Sequence, residues 1–136
     1  MKINGLKKIN IKIFKNKKGD LIKYLSSKDR FFKKFGEIYF SEIKKGQVKG
    51  WNLHKRYKCH LAVISGSVTF NFVDNRKKSK TYLKKDKVIL SKKKYGILIV
   101  PPNVWVNFTT KNKISLVVNA LNYPHLDSEI KKTKKL

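Results

Sequence analysis

The chain has 136 residues, 40% of them hydrophobic, and carries 34 Lys and Arg against 8 Asp and Glu. This length predicts one domain, residues 1–136, and the composition excludes a disordered protein. The formal charge of +26 is carried mainly by lysine, whereas direct base recognition relies on arginine, so nucleic acid is not an expected partner.

Short β-branched or aromatic runs, several with a period of two, follow one another along the chain and are separated by turn residues. They predict strands at 9–13, 68–73, 87–90, 96–100 and 114–118. Many short strands at regular spacing favour a sandwich or barrel. A helix is expected only around Ser27 to Phe35, where Ser27 or Asp29 would cap it.

The ends of the chain and its single cysteine limit the cellular setting. Residues 128–136 are rich in lysine, and we expect this tail to fray. Cys59 has no partner for a disulfide, which favours a reducing cytoplasm. No apolar run approaches the roughly 20 residues of a membrane span, so no membrane association is expected. We interpret Cys59 as a buried apolar group.

His54 is the main candidate for chemistry. It stands in the segment Gly50-Trp51-Asn52-Leu53-His54-Lys55-Arg56, and no Glu follows it. A metal-binding barrel of the cupin type takes several His and a carboxylate around one ion. Val106 stands where the late ligand of such a site would lie. We therefore expect a barrel without a metal and without a cofactor.

Five segments in register carry a family resemblance. They are Phe14–Leu21, Phe35–Ser41, Lys49–Lys55, Val63–Gly66 and Val100–Trp105. Together they resemble the dTDP-4-dehydrorhamnose 3,5-epimerase family, and Lys49–Lys55 is closest to the Lys-Gly-Trp-His-x-His-Lys element of a shorter subgroup. The resemblance implies an all-β, cupin-type double-stranded β-helix, or jelly-roll, barrel. It also implies a homodimer in which the strand near Ile9 to Ile13 pairs across subunits.

The resemblance further implies an isomerase that acts on a nucleotide-linked 4-keto-6-deoxyhexose in deoxysugar and surface-polysaccharide synthesis. A His abstracts a proton beside the ketone, and a Tyr returns one on the other face. His54 is the expected base and Tyr123 the expected acid. The expected substrate-binding residues are Lys49, Trp51, Asn52, Arg56, Lys58 and Trp105. An imidazole with a pKa near 6.5 is a suitable base at neutral pH.

Several positions depart from the family pattern. Asn52 and Val106 replace histidines of the subgroup, and the acid tyrosine of the family aligns near Val118. The carboxylate that orients the histidine in longer members is expected beyond the end of this chain, with Asp127 or Glu42 as its replacement.

Three alternatives to an epimerase therefore stay open. The first is a nucleotide-sugar 3,4-ketoisomerase, and the second is a sugar-binding cupin without activity. The third is a nucleic-acid binder driven by charge, whose affinity would fall steeply with salt.

Overall fold

The alternation of apolar and polar residues produces ten β-strands in the computed structural model, which describes residues 1–136. In β5, for example, Val68, Phe70 and Phe72 are fully buried on one face, as a period of two requires. The strands are β1 Lys7–Asn10, β2 Glu37–Lys44, β3 Lys49–His54, β4 Cys59–Ser65, β5 Ser67–Asp74, β6 Lys85–Ser91, β7 Gly96–Val100, β8 Val104–Thr110, β9 Ile114–Leu121 and β10 Ile130–Lys132.

The strands form two five-stranded antiparallel sheets that face each other. One sheet has the order β1-β7-β4-β9-β2 and the other β10-β3-β8-β5-β6, with consecutive strands often in opposite sheets. The main core lies between them and includes Phe70, Phe72, Leu98 and Leu121. The expected all-β jelly-roll architecture is confirmed.

The N-terminal part of the chain covers the outer face of the first sheet. Side chains of Ile11, Ile13 and Tyr24 pack there against a small cluster that includes Ile97 and Val118. β1 pairs with β7 of the same chain, in the register Lys7↔Ile99 to Asn10↔Gly96. β1 is the edge strand of its sheet, so only one of its two edges is paired by β7, and pairing of the other edge across subunits stays a prediction.

The expected helix around Ser27 to Phe35 is wrong. The segment forms isolated turns, in which the carboxylate of Asp29 accepts the backbone N–H of Ser26. An N-capping side chain accepts N–H groups that follow it, so this bond runs in the opposite direction. Side chains of the segment also face the sheet: Phe31 packs on the outer cluster, and Phe32 lies edge-on to His60.

The lysine-rich tail was expected to fray, but it is ordered by backbone pairing as far as Thr133. β10 pairs with β3, and Ile130 lies opposite His54 in this ladder. Thr133 and Trp51 exchange two backbone hydrogen bonds of 3.0 and 3.1 Å. A single turn of 3-10 helix, Asp127–Glu129, leads into β10 and places Glu129 behind β3. The structure has no helix that is long and apolar enough to cross a membrane.

Candidate active site

A cavity of about 240 Å³ lies between the two sheets. Its polar lining residues are Tyr39, Ser41, Lys49, Asn52, His54 and Asn119, and its other walls are Cys59, Leu61, Val106, Phe108 and Val117. Tyr39 and Lys49 are partly exposed and mark the mouth, whereas Leu61 and Val117 are buried. An apolar interior with a few convergent polar groups is typical of a small-molecule site.

Strand geometry explains why the polar groups of β3 converge on this cavity. Residues two apart on a strand share a face, so Asn52 and His54 both point inward. Lys49 is three residues from Asn52 and would face outward in a regular strand. The ladder between β3 and β8 shifts register between Lys49 and Asn52. A bulge of this kind re-aims a side chain, and it brings Lys49 to the cavity.

A buried carboxylate lies directly behind His54. Nδ1 of His54 is 3.6 Å from Oε1 of Glu129, and both side chains are less than a tenth exposed. The two oxygens of Glu129 also accept backbone N–H groups of Lys55, Arg56 and Tyr57 at 3.0 to 3.1 Å. These donors hold the carboxylate in place, because a buried carboxylate needs such partners.

This pair sets the protonation of the imidazole. A carboxylate beside Nδ1 favours the neutral tautomer that carries its proton on Nδ1, which leaves the lone pair on Nε2. Burial lowers the pKa of His54 below its ordinary value of 6.5, and the charge of Glu129 opposes this only in part. His54 is therefore neutral at neutral pH and can accept a proton.

The carboxylates proposed as replacements are not at the site. Asp127 is fully exposed and pairs with His125, with 3.0 Å between Oδ1 and Nε2. Glu42 lies on β2 and does not line the cavity. Glu129 takes this position instead because β10 docks on β3. Sequence analysis missed it because the lysine-rich tail carries no strand pattern.

Two predicted site residues lie in a second depression. Arg56 and Tyr123 line a space of about 540 Å³, together with Lys55, Tyr57 and Glu129. Tyr123 stacks on Tyr57 with ring centroids 5.4 Å apart. Glu129 belongs to this depression and also contacts His54, so the two spaces lie on either side of the pair. Tyr123 does not line the cavity of His54.

Other predicted binding residues lie further away. Trp105 lies between Val104 and Val106, whose side chains are buried on the inner face, so its ring faces outward. Trp51 lines an open depression on the outside of the second sheet. Lys58 donates its backbone N–H to Asn122, and its side chain lines neither space. The roles of these three residues in binding stay predictions.

Positions flagged as departures from the family behave differently from one another. Asn52 and Val106 are register partners and both line the cavity. Val118 packs in the outer cluster, whereas Val117 and Asn119 point inward. Of the positions near which the acid of the family aligns, Val118 itself does not face the cavity. No three side chains of His, Cys, Asp or Glu are grouped so that they could hold a metal ion.

Comparison with known proteins agrees with this architecture. A model of the dTDP-4-dehydrorhamnose 3,5-epimerase family matches residues 1–131. The chain belongs to this family. A search of curated protein sequences finds no significant match.

Solved structures of the epimerase family superpose closely on the chain. A dTDP sugar isomerase from Desulfovibrio desulfuricans G20 is 29% identical, with 97% of this chain and 85% of that chain covered and a TM-score of 0.94. An epimerase from Legionella pneumophila, in complex with dTDP-4-keto-L-rhamnose, is 21% identical, with 100% and 76% covered and a TM-score of 0.89. The epimerase from Sulfolobus tokodaii is 24% identical, with 95% and 77% covered and a TM-score of 0.84. The last two likenesses concern the fold.

Proposed function

We propose that the protein is an isomerase of a nucleotide-linked 4-keto-6-deoxyhexose, with His54 as the base that removes a proton beside the ketone. The observation that carries this proposal is the imidazole of His54 in a cavity between the sheets, with the buried carboxylate of Glu129 behind it. Membership of the epimerase family and the dTDP sugars named for its solved relatives support the substrate class.

The chemistry follows from the groups around the cavity. His54 Nε2 takes the proton from the carbon beside the ketone, and the C–H electrons form the C=C bond of an enolate. The carbonyl oxygen then carries the negative charge. The amide of Asn52, which lines the cavity, is a donor that can stabilise it. The walls of Leu61 and Phe108 keep water away, which strengthens these electrostatic interactions.

The size of the cavity indicates that only part of the substrate enters it. Pockets for whole drug-sized ligands measure roughly 300–1,000 Å³, and this cavity of about 240 Å³ is smaller. It suits the hexose, and the nucleotide then lies outside the barrel. Lys49 and Arg56 are the candidate contacts for the pyrophosphate. The lysine-rich surface favours the approach of such an anion.

Exchange of protons with solvent tests the proposal. The protein is incubated in D₂O with dTDP-4-keto-6-deoxyglucose, and NMR follows the deuterium content of C3 and C5 and the position of the carbonyl. Deuterium at C3 or C5 with an inverted centre supports an epimerase, and a carbonyl moved to C3 would assign a 3,4-ketoisomerase. Tight binding without exchange would assign a sugar-binding cupin. If the protein shows no exchange and no binding, the proposal is contradicted.

A homodimer in the cytoplasm is the expected setting of this activity. The edge strand β2 exposes Ile38 and Phe40, the latter 63% exposed, beside the exposed Phe35. Exposed apolar side chains on an edge strand favour association with another chain. Sedimentation of the wild type against Phe40→Lys tests this assembly: a dimer that dissociates in the variant supports it, and a monomeric wild type contradicts it.

A further inference from the structure

Inversion of a carbon centre needs a proton donor on the face opposite the base. His54 belongs to the second sheet, so the donor has to come from the first sheet, across the cavity. The inward positions of β9 are Val117 and Asn119, and neither side chain is an acid. Tyr123 lies in the other depression. Tyr39 is the one tyrosine that lines the cavity.

Tyr39 lies next to the inward face of β9. It stands on β2 in register with Asn119, so the two side chains share a face. Asn119 Nδ2 donates to the hydroxyl of Tyr39 at 3.0 Å. Both residues face the sheet that carries His54.

The hydrogen bonds leave the phenolic proton free. Asn119 Oδ1 accepts the backbone N–H of His60 at 3.0 Å, which fixes the orientation of the amide. Its NH₂ group must then face Tyr39, so the hydroxyl oxygen of Tyr39 accepts in this bond. The structure gives Tyr39 no other hydrogen-bond partner, and its own proton can be donated to a ligand in the cavity.

We propose that Tyr39 is the general acid that returns a proton to the enolate on the face opposite His54. This role rests on the proposed function. His54 removes the proton from one face, and Tyr39 O–H delivers its proton to the same carbon from the other face. The C=C electrons form the new C–H bond, and the carbonyl is restored. The resulting phenolate is stabilised by the NH₂ of Asn119 and regains its proton from solvent at the mouth.

Burial supports this assignment. It raises the pKa of Tyr39 to about 12, so the hydroxyl keeps its proton throughout the neutral range. A phenol of high pKa is a weak acid in the ground state, but an enolate carbon is a strong proton acceptor. The phenolate that forms is short-lived and lies within reach of Asn119 and of solvent.

Separate measurement of exchange and inversion in D₂O tests the proposal. In Tyr39→Phe, His54 still removes the proton and can return deuterium to the original face. We expect the rate of inversion to fall about 10²- to 10⁴-fold, while deuterium still enters the unchanged substrate at a rate within about 10-fold of the wild type. Tyr82→Phe, the matched control, keeps both rates because Tyr82 is exposed and lines neither the cavity nor the second depression.

Two results would overturn the role of Tyr39 without touching the proposed function. One is inversion by Tyr39→Phe at close to the wild-type rate. The other is an equal fall in exchange and inversion, which would make Tyr39 a partner of the enolate oxygen rather than the second proton donor. A wild type that neither exchanges nor inverts would overturn the proposed function and this role together. Unchanged thermal melting of the variant serves as the control for folding.

Discussion

His54 Nδ1 lies 3.6 Å from Oε1 of Glu129, and both side chains are buried where β10 pairs with β3. The carboxylate is anchored by three backbone N–H groups, so its position does not depend on the imidazole. The imidazole is thereby oriented with Nδ1 toward a negative charge and Nε2 toward the cavity. Orientation by a carboxylate is a common way to prepare a histidine as a base.

Replacement of His54 tests the base. His54→Asn is expected to lower kcat by about 10²- to 10⁴-fold, because proton abstraction loses its acceptor. His125→Asn is the matched control, since His125 is exposed, pairs with Asp127 and does not line the cavity. Deuterium exchange at the sugar carbon measures both variants. Equal rates for the two variants would contradict the role of His54.

Replacement of Glu129 tests the support of the base. In the wild type, backbone N–H groups donate to both carboxylate oxygens of Glu129. Glu129→Gln replaces one of these oxygens with an NH₂ group, which cannot accept. One buried donor left without an acceptor costs about 1–3 kcal/mol. We expect a loss of stability of this size in urea denaturation, and a lower kcat. Asp127→Asn, which alters a fully exposed carboxylate, is expected to change neither quantity; an effect as large as that of Glu129→Gln would contradict this account.

The pH dependence of activity follows from the lowered pKa of His54. Only the neutral imidazole accepts a proton, so kcat/KM is expected to fall as pH decreases, with the midpoint of the fall below pH 6.5. Glu129→Gln removes the charge that raises the pKa of His54, so the fall should move to still lower pH. Profiles of kcat/KM between pH 4 and 8 check both statements. A midpoint above pH 6.5 would contradict the first.

The lowered pKa of His54 should also make the free energy of unfolding depend on pH, and the direction of this dependence can be predicted. The folded state holds His54 neutral below pH 6.5, where the unfolded chain is protonated, so its contribution is present above pH 6.5 and is lost as pH falls. The pKa of His60 is also lowered by burial, so the comparison must be a difference. The free energy of unfolding of the wild type minus that of His54→Asn should decrease from pH 7 to pH 5. A constant difference would contradict this linkage.

Substitution of Lys49 tests the anion contact at the mouth. Its ammonium donates to Ser41 Oγ at 2.8 Å, next to the cavity. A hydrogen bond to a charged group contributes about 1.5–3 kcal/mol, so Lys49→Gln is expected to lower kcat/KM by at least about 10-fold. Lys45→Gln, in an exposed turn, is the matched control for the loss of one charge. An equal decrease in both variants would assign the effect to the general charge of the surface.

Much of the barrel could be predicted because its strands carry local signals. The alternation in β5 and the apolar run of β7 are visible in the sequence, and both became strands in the expected places. The helix around Ser27 to Phe35 failed because the packing of Phe31 against the sheet overrides a weak capping signal. The conformational preferences of the residues in this segment give no information about that long-range contact.

The candidate site was only partly predictable, since its members come from distant segments. His54 stands in a recognisable segment, but Glu129 lies in a tail whose composition suggests disorder. The inward position of Tyr39 follows from the alternation of side chains along β2. This alternation can be applied only when the bounds of the strand and its register with β9 are known. A shift of one residue moves a side chain to the other face, so an alignment of the acid near Val118 does not distinguish this residue from its neighbours, which face the cavity.

The tautomer and pKa of His54 test the central claim most directly. In protein labelled with ¹⁵N at histidine, we predict that His54 is neutral at pH 7 with its proton on Nδ1, and that its pKa is below 6.5. Addition of the nucleotide sugar should shift the Nε2 resonance, because that nitrogen faces the cavity. A proton on Nε2, or a pKa above 6.5, would contradict the account of His54 as the base.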